Sequence, residues 1–233
     1  MNDLQDFDYL AANWAAVRAR VDAACVDAGR DPAEVSVLPV SKTFPAEAVR
    51  AATALGLRRF GENRVQEIRD KALVLGEGAV DWVVIGQLQT NKAKDVARFA
   101  TEVQSLDRLE LAEALHRRLQ QEGRTLDVLV QVKTSPEETK SGLPELELPG
   151  LLDALARFET LRVGGLMTMA VHSDDSEAVR ACFRRLRELR DASAARGHRL
   201  ARLSMGMSGD FPLAIAEGAT EVRIGTAIFG RRT

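Results

Sequence analysis

The segment Val37-Leu38-Pro39-Val40-Ser41-Lys42-Thr43 reads as a short apolar strand that runs into a lysine. Leu38, Val40 and Lys42 fall on one side of a period-two pattern, and Val37, Pro39 and Ser41 on the other. Apolar residues on both sides predict a strand buried on both faces, as in a parallel sheet. Lys42 then stands at the carboxyl end of that strand, where α/β folds bind ligands. Taken alone, such a lysine is most simply a solvated rim residue. The rest of the chain decides whether it is a reactive amine.

Working outward, residues 4–28 carry Leu10, Trp14, Val17, Val21, Ala24 and Ala28 at steps of three and four, with Gly29 as the stop. This predicts a helix ahead of the first strand. Downstream of Lys42, strand and helix patterns alternate. Strands are expected at 35–41, 59–62, 81–86, 102–106, 127–132, 161–167, 203–207 and 221–226. Between them lie amphipathic segments closed by Gly56, Gly76, Gly123 and Gly197, with Asp107 and Glu110 as a capping-box-like start for one of them. Eight strand-then-helix steps predict a single-domain (β/α)8 TIM barrel with an extra N-terminal helix. The last helix is almost absent, and the helix at 4–28 is expected to cover the barrel instead. A doubly wound open sheet is the alternative, but Ser41-Lys42-Thr43-Phe44-Pro45 is not the glycine-rich phosphate turn that such a fold usually carries. No linker or low-complexity segment interrupts the pattern, so one domain is expected over 1–233.

Composition narrows the function. The formal net charge of -2 argues against a general nucleic-acid binder. The pairs Arg117-Arg118 and Arg184-Arg185 share their helical patterns with glutamates and read as solvated faces. Cys25 and Cys182 fall on apolar stripes and are expected as buried free thiols. His116, His172 and His198 lack metal-ligand spacing. No apolar run approaches membrane-span length, and the N-terminus has no basic region followed by an apolar core. A soluble cytoplasmic protein is expected.

The strand ends of a barrel would list the site. Val222 and Ile224 would face the helices and turn Arg223 inward, where an unpaired charge is very costly. Its partner would be Glu221, Glu62 or a ligand. Ser204-Met205-Gly206-Met207-Ser208-Gly209 and Gly225-Thr226 offer hydroxyls, backbone N–H groups and little bulk after strands seven and eight. Many TIM barrels bind phosphate there, beside a short helix such as the one entered at Gly209-Asp210-Phe211. Lys92 and Lys140 read as solvated, whereas Lys133, at the end of strand five, stays open as a rival to Lys42. A strand-end lysine, a phosphate cup across the barrel and an arginine for a ring nitrogen describe a pyridoxal phosphate pocket.

Several blocks in order then make the sequence familiar: Val40-Ser41-Lys42-Thr43, Phe60-Gly61-Glu62-Asn63-Arg64, Ile85-Gly86-Gln87-Leu88-Gln89-Thr90-Asn91-Lys92, Lys140-Ser141-Gly142, Gly165-Leu166-Met167, Leu203-Ser204-Met205-Gly206-Met207-Ser208 and Val222-Arg223-Ile224-Gly225-Thr226. Throughout its length the chain resembles the pyridoxal phosphate homeostasis proteins, the YggS/PROSC family. The resemblance implies a barrel similar to the N-terminal domain of alanine racemase, with pyridoxal 5'-phosphate held as a Schiff base on Lys42. It implies Arg223 at the pyridine nitrogen, Ser204, Ser208, Gly225 and Thr226 at the phosphate, and Asn63 and Met205 near the cofactor. The family frequently has histidine where this chain has Gln87.

The same resemblance implies a buffer or carrier of the cofactor, able to supply apoenzymes, rather than an enzyme with robust turnover. Racemization needs a base on each face of the substrate carbon. Alanine racemase takes its tyrosine base from another domain, and the only tyrosine here is Tyr9 in the first helix. A monomer is expected. The competing readings are a weak racemase or related amino-acid enzyme at Lys42, and a cofactor-free phosphosugar barrel suggested by fold analogy alone.

Overall fold

The computed structural model describes residues 7–137 and 140–230. Residues 4–6 of the expected first helix lie outside the described part. Eight parallel strands form one sheet: β1 (Ser36–Pro39), β2 (Arg59–Glu62), β3 (Asp81–Val84), β4 (Ala100–Leu106), β5 (Leu126–Lys133), β7 (Leu161–Met167), β8 (Arg202–Ser204) and β9 (Glu221–Ile224). A two-residue strand, β6 (Leu143–Pro144), pairs with the end of β5 off the main path. The order β1-β9-β8-β7-β5-β4-β3-β2 returns the last strand beside the first. A parallel bridge between Val40 and Gly61 closes the ring, and the Ser41 N–H donates to the Gly61 carbonyl at 3.1 Å. Gly61 permits this: a Cβ there would press on Leu38, Val40 and Ile85 together.

The eight expected strands are all present as the (β/α)8 barrel, and the differences lie at their ends. Strand seven stops at Ser204 rather than Met207, because Gly206 turns the chain with φ 94° and packs so tightly on Phe211 and Ala214 that a side chain would collide. The last strand stops at Ile224, and Gly225 leads into the four-residue α9 (Thr226–Phe229). The helix α1 (Tyr9–Asp27) lies against α9 and α8 (Phe211–Ala216). The Tyr9 hydroxyl donates to the Phe229 carbonyl and the Asn13 amide to the Ile228 carbonyl, both at 2.9 Å. It thus fills the side of the barrel that a longer final helix would cover. The capping box at Asp107 does not form. Asp107 pairs with Arg108, which also holds the Leu88 carbonyl, and α5 (Leu109–Glu122) starts without a side-chain cap.

Helices cover the outside through apolar stripes, such as Leu111, Leu115 and Leu119 of α5 and Val179, Cys182, Phe183 and Leu186 of α7 (Ser176–Ala195). Cys25 and Cys182 are both buried free thiols. The interior is different. At its amino-terminal end, Arg59 donates to Glu221 at 2.9 Å and to Glu102 at 2.7 Å, and Arg202 reaches the same two carboxylates at 3.0 and 2.9 Å. Glu221 is 1% exposed. Burial pushes its carboxyl up, but Arg59, Arg202 and the Gln104 amide more than reverse this and hold it below its ordinary 4.5. A carboxylate lowered by folding contributes stability that is complete above its unfolded value and is lost as pH falls through the folded one. Glu221→Leu is therefore expected to cost about 3–5 kcal/mol at pH 7. It should also flatten the acid limb of the stability profile below about pH 4.5. Urea unfolding across pH checks both; an unchanged acid limb would contradict the assignment.

Candidate functional site

The carboxyl ends of the strands open on a cavity of about 410 Å³, within the range of small-molecule sites. Val40, Lys42 and Phe44 line it from the end of β1, and Asn63, Ile85, Gly86 and Gln87 from the ends of β2 and β3. Gln131, Ser141 and Met169 line the middle. Met207, Ser208 and Gly209 after β8, with Arg223, Gly225 and Thr226 from β9, complete the wall beside β1.

Lys42 occupies the corner of a tight turn. The Phe44 N–H donates to the Ser41 carbonyl at 3.1 Å, which leaves Lys42 and Thr43 as the two central residues. Alternation along β1 puts Leu38 and Val40 beneath Lys42 on the interior side, as the pattern predicted. The rival lysines lie elsewhere. Lys133 is at the β5 end but not in the cavity wall, Lys140 pairs with Glu137 at 3.3 Å, and Lys92 lines a neighbouring surface groove.

Arg223 points inward, yet neither of its expected carboxylate partners takes it. Glu221 is engaged by Arg59 and Arg202, and Glu62 lies outside the barrel wall with Lys71. Arg223 instead donates to the Ser204 carbonyl at 2.7 Å, the Ser204 hydroxyl at 2.8 Å and the Thr168 carbonyl at 2.8 Å. Burial pushes the guanidinium down to about 10, so it remains a cation at neutral pH. These neutral acceptors occupy one edge of its fork. Arg223 also forms part of the cavity wall.

A directional chain fixes that fork. The Gln104 amide nitrogen donates to Glu102 at 2.8 Å and Glu221 at 2.5 Å. Its oxygen must then accept, and it does so from the Ser204 hydroxyl at 2.7 Å. Ser204 thereby turns a lone pair to Arg223. Ser204, expected at the phosphate, and Met205, expected near the cofactor, are not among the residues lining the cavity. Both are fully buried behind the wall; Ser204 is consumed by Gln104 and Arg223, and Met205 packs in the outer core. Asn63, Ser208, Gly225 and Thr226 do reach the cavity, together with Lys42 and Arg223.

The ends of β8 and β9 suit an anion through small and hydroxyl-bearing residues. The Asp210 and Phe211 N–H groups are both taken by the Met207 carbonyl, and the Asp210 carboxylate accepts from the Met207 N–H. The residues that line the cavity there are Ser208, Gly209, Gly225 and Thr226. A Cβ at Gly225 would crowd the Val40 carbonyl, so the close approach of β9 to β1 favours glycine there. Gln131, Ser141 and Met169 were not foreseen. The Gln131 amide donates to the Ser141 carbonyl at 2.8 Å and ties the loop after β5 to the barrel, a link between residues with no shared motif. Among the described residues no group of three or more His, Cys, Asp or Glu side chains is arranged to hold a metal ion.

The alanine racemase N-terminal domain model matches residues 5–233. A pyridoxal phosphate homeostasis protein of Pseudomonas aeruginosa is 45% identical over 224 residues, covering 96% of both chains. One from Escherichia coli is 42% identical over 238 residues, covering 100% of this chain and 98% of the other. Among solved structures, PipY of Synechococcus elongatus with PLP bound superposes with a TM-score of 0.84 at 36% identity, over 95% of this chain and 100% of that one.

Gln104→Leu is expected to leave Glu221 Oε1 without its donor and the Ser204 hydroxyl without its acceptor, at about 1–3 kcal/mol for each lost partner. Thermal unfolding with Ser204→Ala as a partner variant checks this. The two losses should be less than additive, because both cut one chain of bonds; simple additivity would contradict the chain.

Proposed function

We propose, from the premise that the chain belongs to the pyridoxal phosphate homeostasis family built on the alanine racemase N-terminal domain, that it binds pyridoxal 5'-phosphate and buffers or carries it in the cell. The observation that carries the reading is a single cavity joining a strand-end amine, an inward guanidinium held by neutral acceptors, and a hydroxyl-and-glycine cup. The bound group would supply an aldehyde and an electron-withdrawing ring. Lys42 supplies the amine to which that aldehyde attaches. Ser208, Thr226, Gly209 and Gly225 hold the phosphate through hydroxyl and backbone donors. Arg223 would donate toward the ring nitrogen and, being a donor with no acceptor site, favour that nitrogen unprotonated. Asn63 flanks the ring. Ser204 contributes through Arg223, and Met205 through packing behind it.

The chemistry of the wall favours holding over turnover. Among the described lining residues, Lys42 and Arg223 are the titratable side chains. Tyr9 lies on α1 with its hydroxyl spent on the Phe229 carbonyl. A racemase needs a second base opposite the lysine, and an unprotonated ring nitrogen weakens the electron sink. The protein is then a carrier that hands its cofactor to apoenzymes, working as a monomer in the cytoplasm. No helix among the described residues is long and apolar enough to cross a membrane.

Titration with pyridoxal phosphate, followed by visible absorption, tests this. Wild type is expected to develop the band of an amine-bound aldehyde, and Lys42→Ala to lack it. Borohydride reduction and peptide mapping should place the label on Lys42. With L- or D-alanine in deuterated water, no label should enter the α-carbon. A label on Lys133 would overturn the site, and rapid deuterium uptake would favour the amino-acid enzyme.

A further inference from the structure

The turn that carries Lys42 is gripped by groups the binding reading does not use. Thr43 has φ 69°, the one positive value among the described non-glycine residues. It stands at the turn position where glycine is preferred, and β-branched residues rarely adopt that conformation. Its N–H donates to Glu67 Oε2 at 2.7 Å. On the other side of Lys42, the Ser41 hydroxyl donates to Glu62 Oε1 at 2.6 Å. Lys71 Nζ donates to the Ser41 carbonyl at 2.9 Å and to the same Glu62 oxygen at 2.5 Å. It also lies 3.7 Å from Glu67 Oε2. Glu67 and Lys71 stand one turn apart on α3 (Val65–Leu75), and Glu62 ends β2.

This cluster is poorly explained as a stabilising device. Glu62 is 0% exposed, and its Oε2 has no hydrogen-bond partner among the described residues. Burial pushes its carboxyl up against the pull of Lys71. A buried ion pair of that kind is commonly no better for stability than apolar residues of the same volume. What the cluster does hold is main chain: the carbonyl and side chain before Lys42, and the N–H after it.

We infer that Glu62, Glu67 and Lys71 are positioning residues, which lock the Ser41–Phe44 turn in its kinked form and so aim the Lys42 amine into the barrel mouth. The inference rests on Lys42 being the attachment point for the aldehyde. Attachment forms a C–N bond and releases water. It needs the amine within bonding reach of the aldehyde carbon, whereas Arg223 is held by Ser204 and Thr168, and the bonds of Glu62, Glu67 and Lys71 go to the turn.

Two ligands separate these contributions: pyridoxal 5'-phosphate, and pyridoxine 5'-phosphate, an alcohol that fills the same cup but cannot bond to an amine. Glu67→Leu removes the acceptor for the Thr43 N–H, whereas Glu67→Gln keeps a carbonyl oxygen there. The double variant Glu62→Leu with Lys71→Met removes the buried pair without stranding a charge. Stopped-flow absorption should show band formation slowed at least about tenfold in Glu67→Leu and in the double variant. Glu67→Gln should stay within about threefold of wild type, as a retained neutral acceptor implies. Pyridoxine 5'-phosphate should bind all of them within about twofold of wild type, since the cup is untouched. A wild-type band that Glu67→Leu and the double variant form at the wild-type rate would overturn the inference alone. So would parallel loss of both ligands. No band in wild type would overturn the binding reading, and this inference with it.

Discussion

Three guanidinium groups and two carboxylates project into the interior of this barrel, and the structure depends on how their bonds are distributed. Arg59 and Arg202 reach in from the amino-terminal end and take both Glu102 and Glu221. An unpaired charge in that interior would be prohibitively costly. With both carboxylates engaged at one end, Arg223 is left to neutral acceptors at the other. The pairing at the closed end therefore creates the inward cation at the open end. Gln104 is the hinge of this arrangement: because both its N–H bonds go to carboxylates, its oxygen faces Ser204, and Ser204 faces Arg223.

The division matches the general economy of barrels, in which the amino-terminal face serves stability and the carboxyl-terminal face carries function. Here the two faces are joined by hydrogen bonds that run the depth of the barrel. The Lys42 side of the mouth has its own support outside the wall, where Glu62, Glu67 and Lys71 hold the turn. The amine and the guanidinium that face one cavity are thus fixed by separate networks, one between barrel and helices and one inside the barrel.

Much of this was legible in sequence because it is periodic. Alternation placed Leu38, Val40 and Lys42 on one side and turned Arg223 inward, and small residues after β8 and β9 marked Ser208, Gly225 and Thr226. What alternation cannot carry is the choice among partners. Arg202 and Glu102 are 100 positions apart, as are Ser204 and Gln104. That is why alternation leaves Glu221, Glu62 and a ligand all open as partners for Arg223, and why it does not show the bond from Ser204 to Gln104. Lys71 sits on a helix pattern of ordinary amphipathic character, and only the fold shows that it turns under the β1 loop. Strand ends were overestimated after β8 because Gly206 reads as one more small residue until its positive φ is seen.

The central claim is that Lys42 and Arg223, on neighbouring strands, face one ligand in the barrel mouth. A crystal structure of the protein grown with pyridoxal 5'-phosphate tests it most directly. The account predicts continuous density from the Lys42 amine to the ligand, the phosphate among Ser208, Gly209, Gly225 and Thr226, and Arg223 still held by Ser204 and Thr168 while facing the ring nitrogen. Density on another lysine, or an Arg223 that has swung to Glu221, would contradict it.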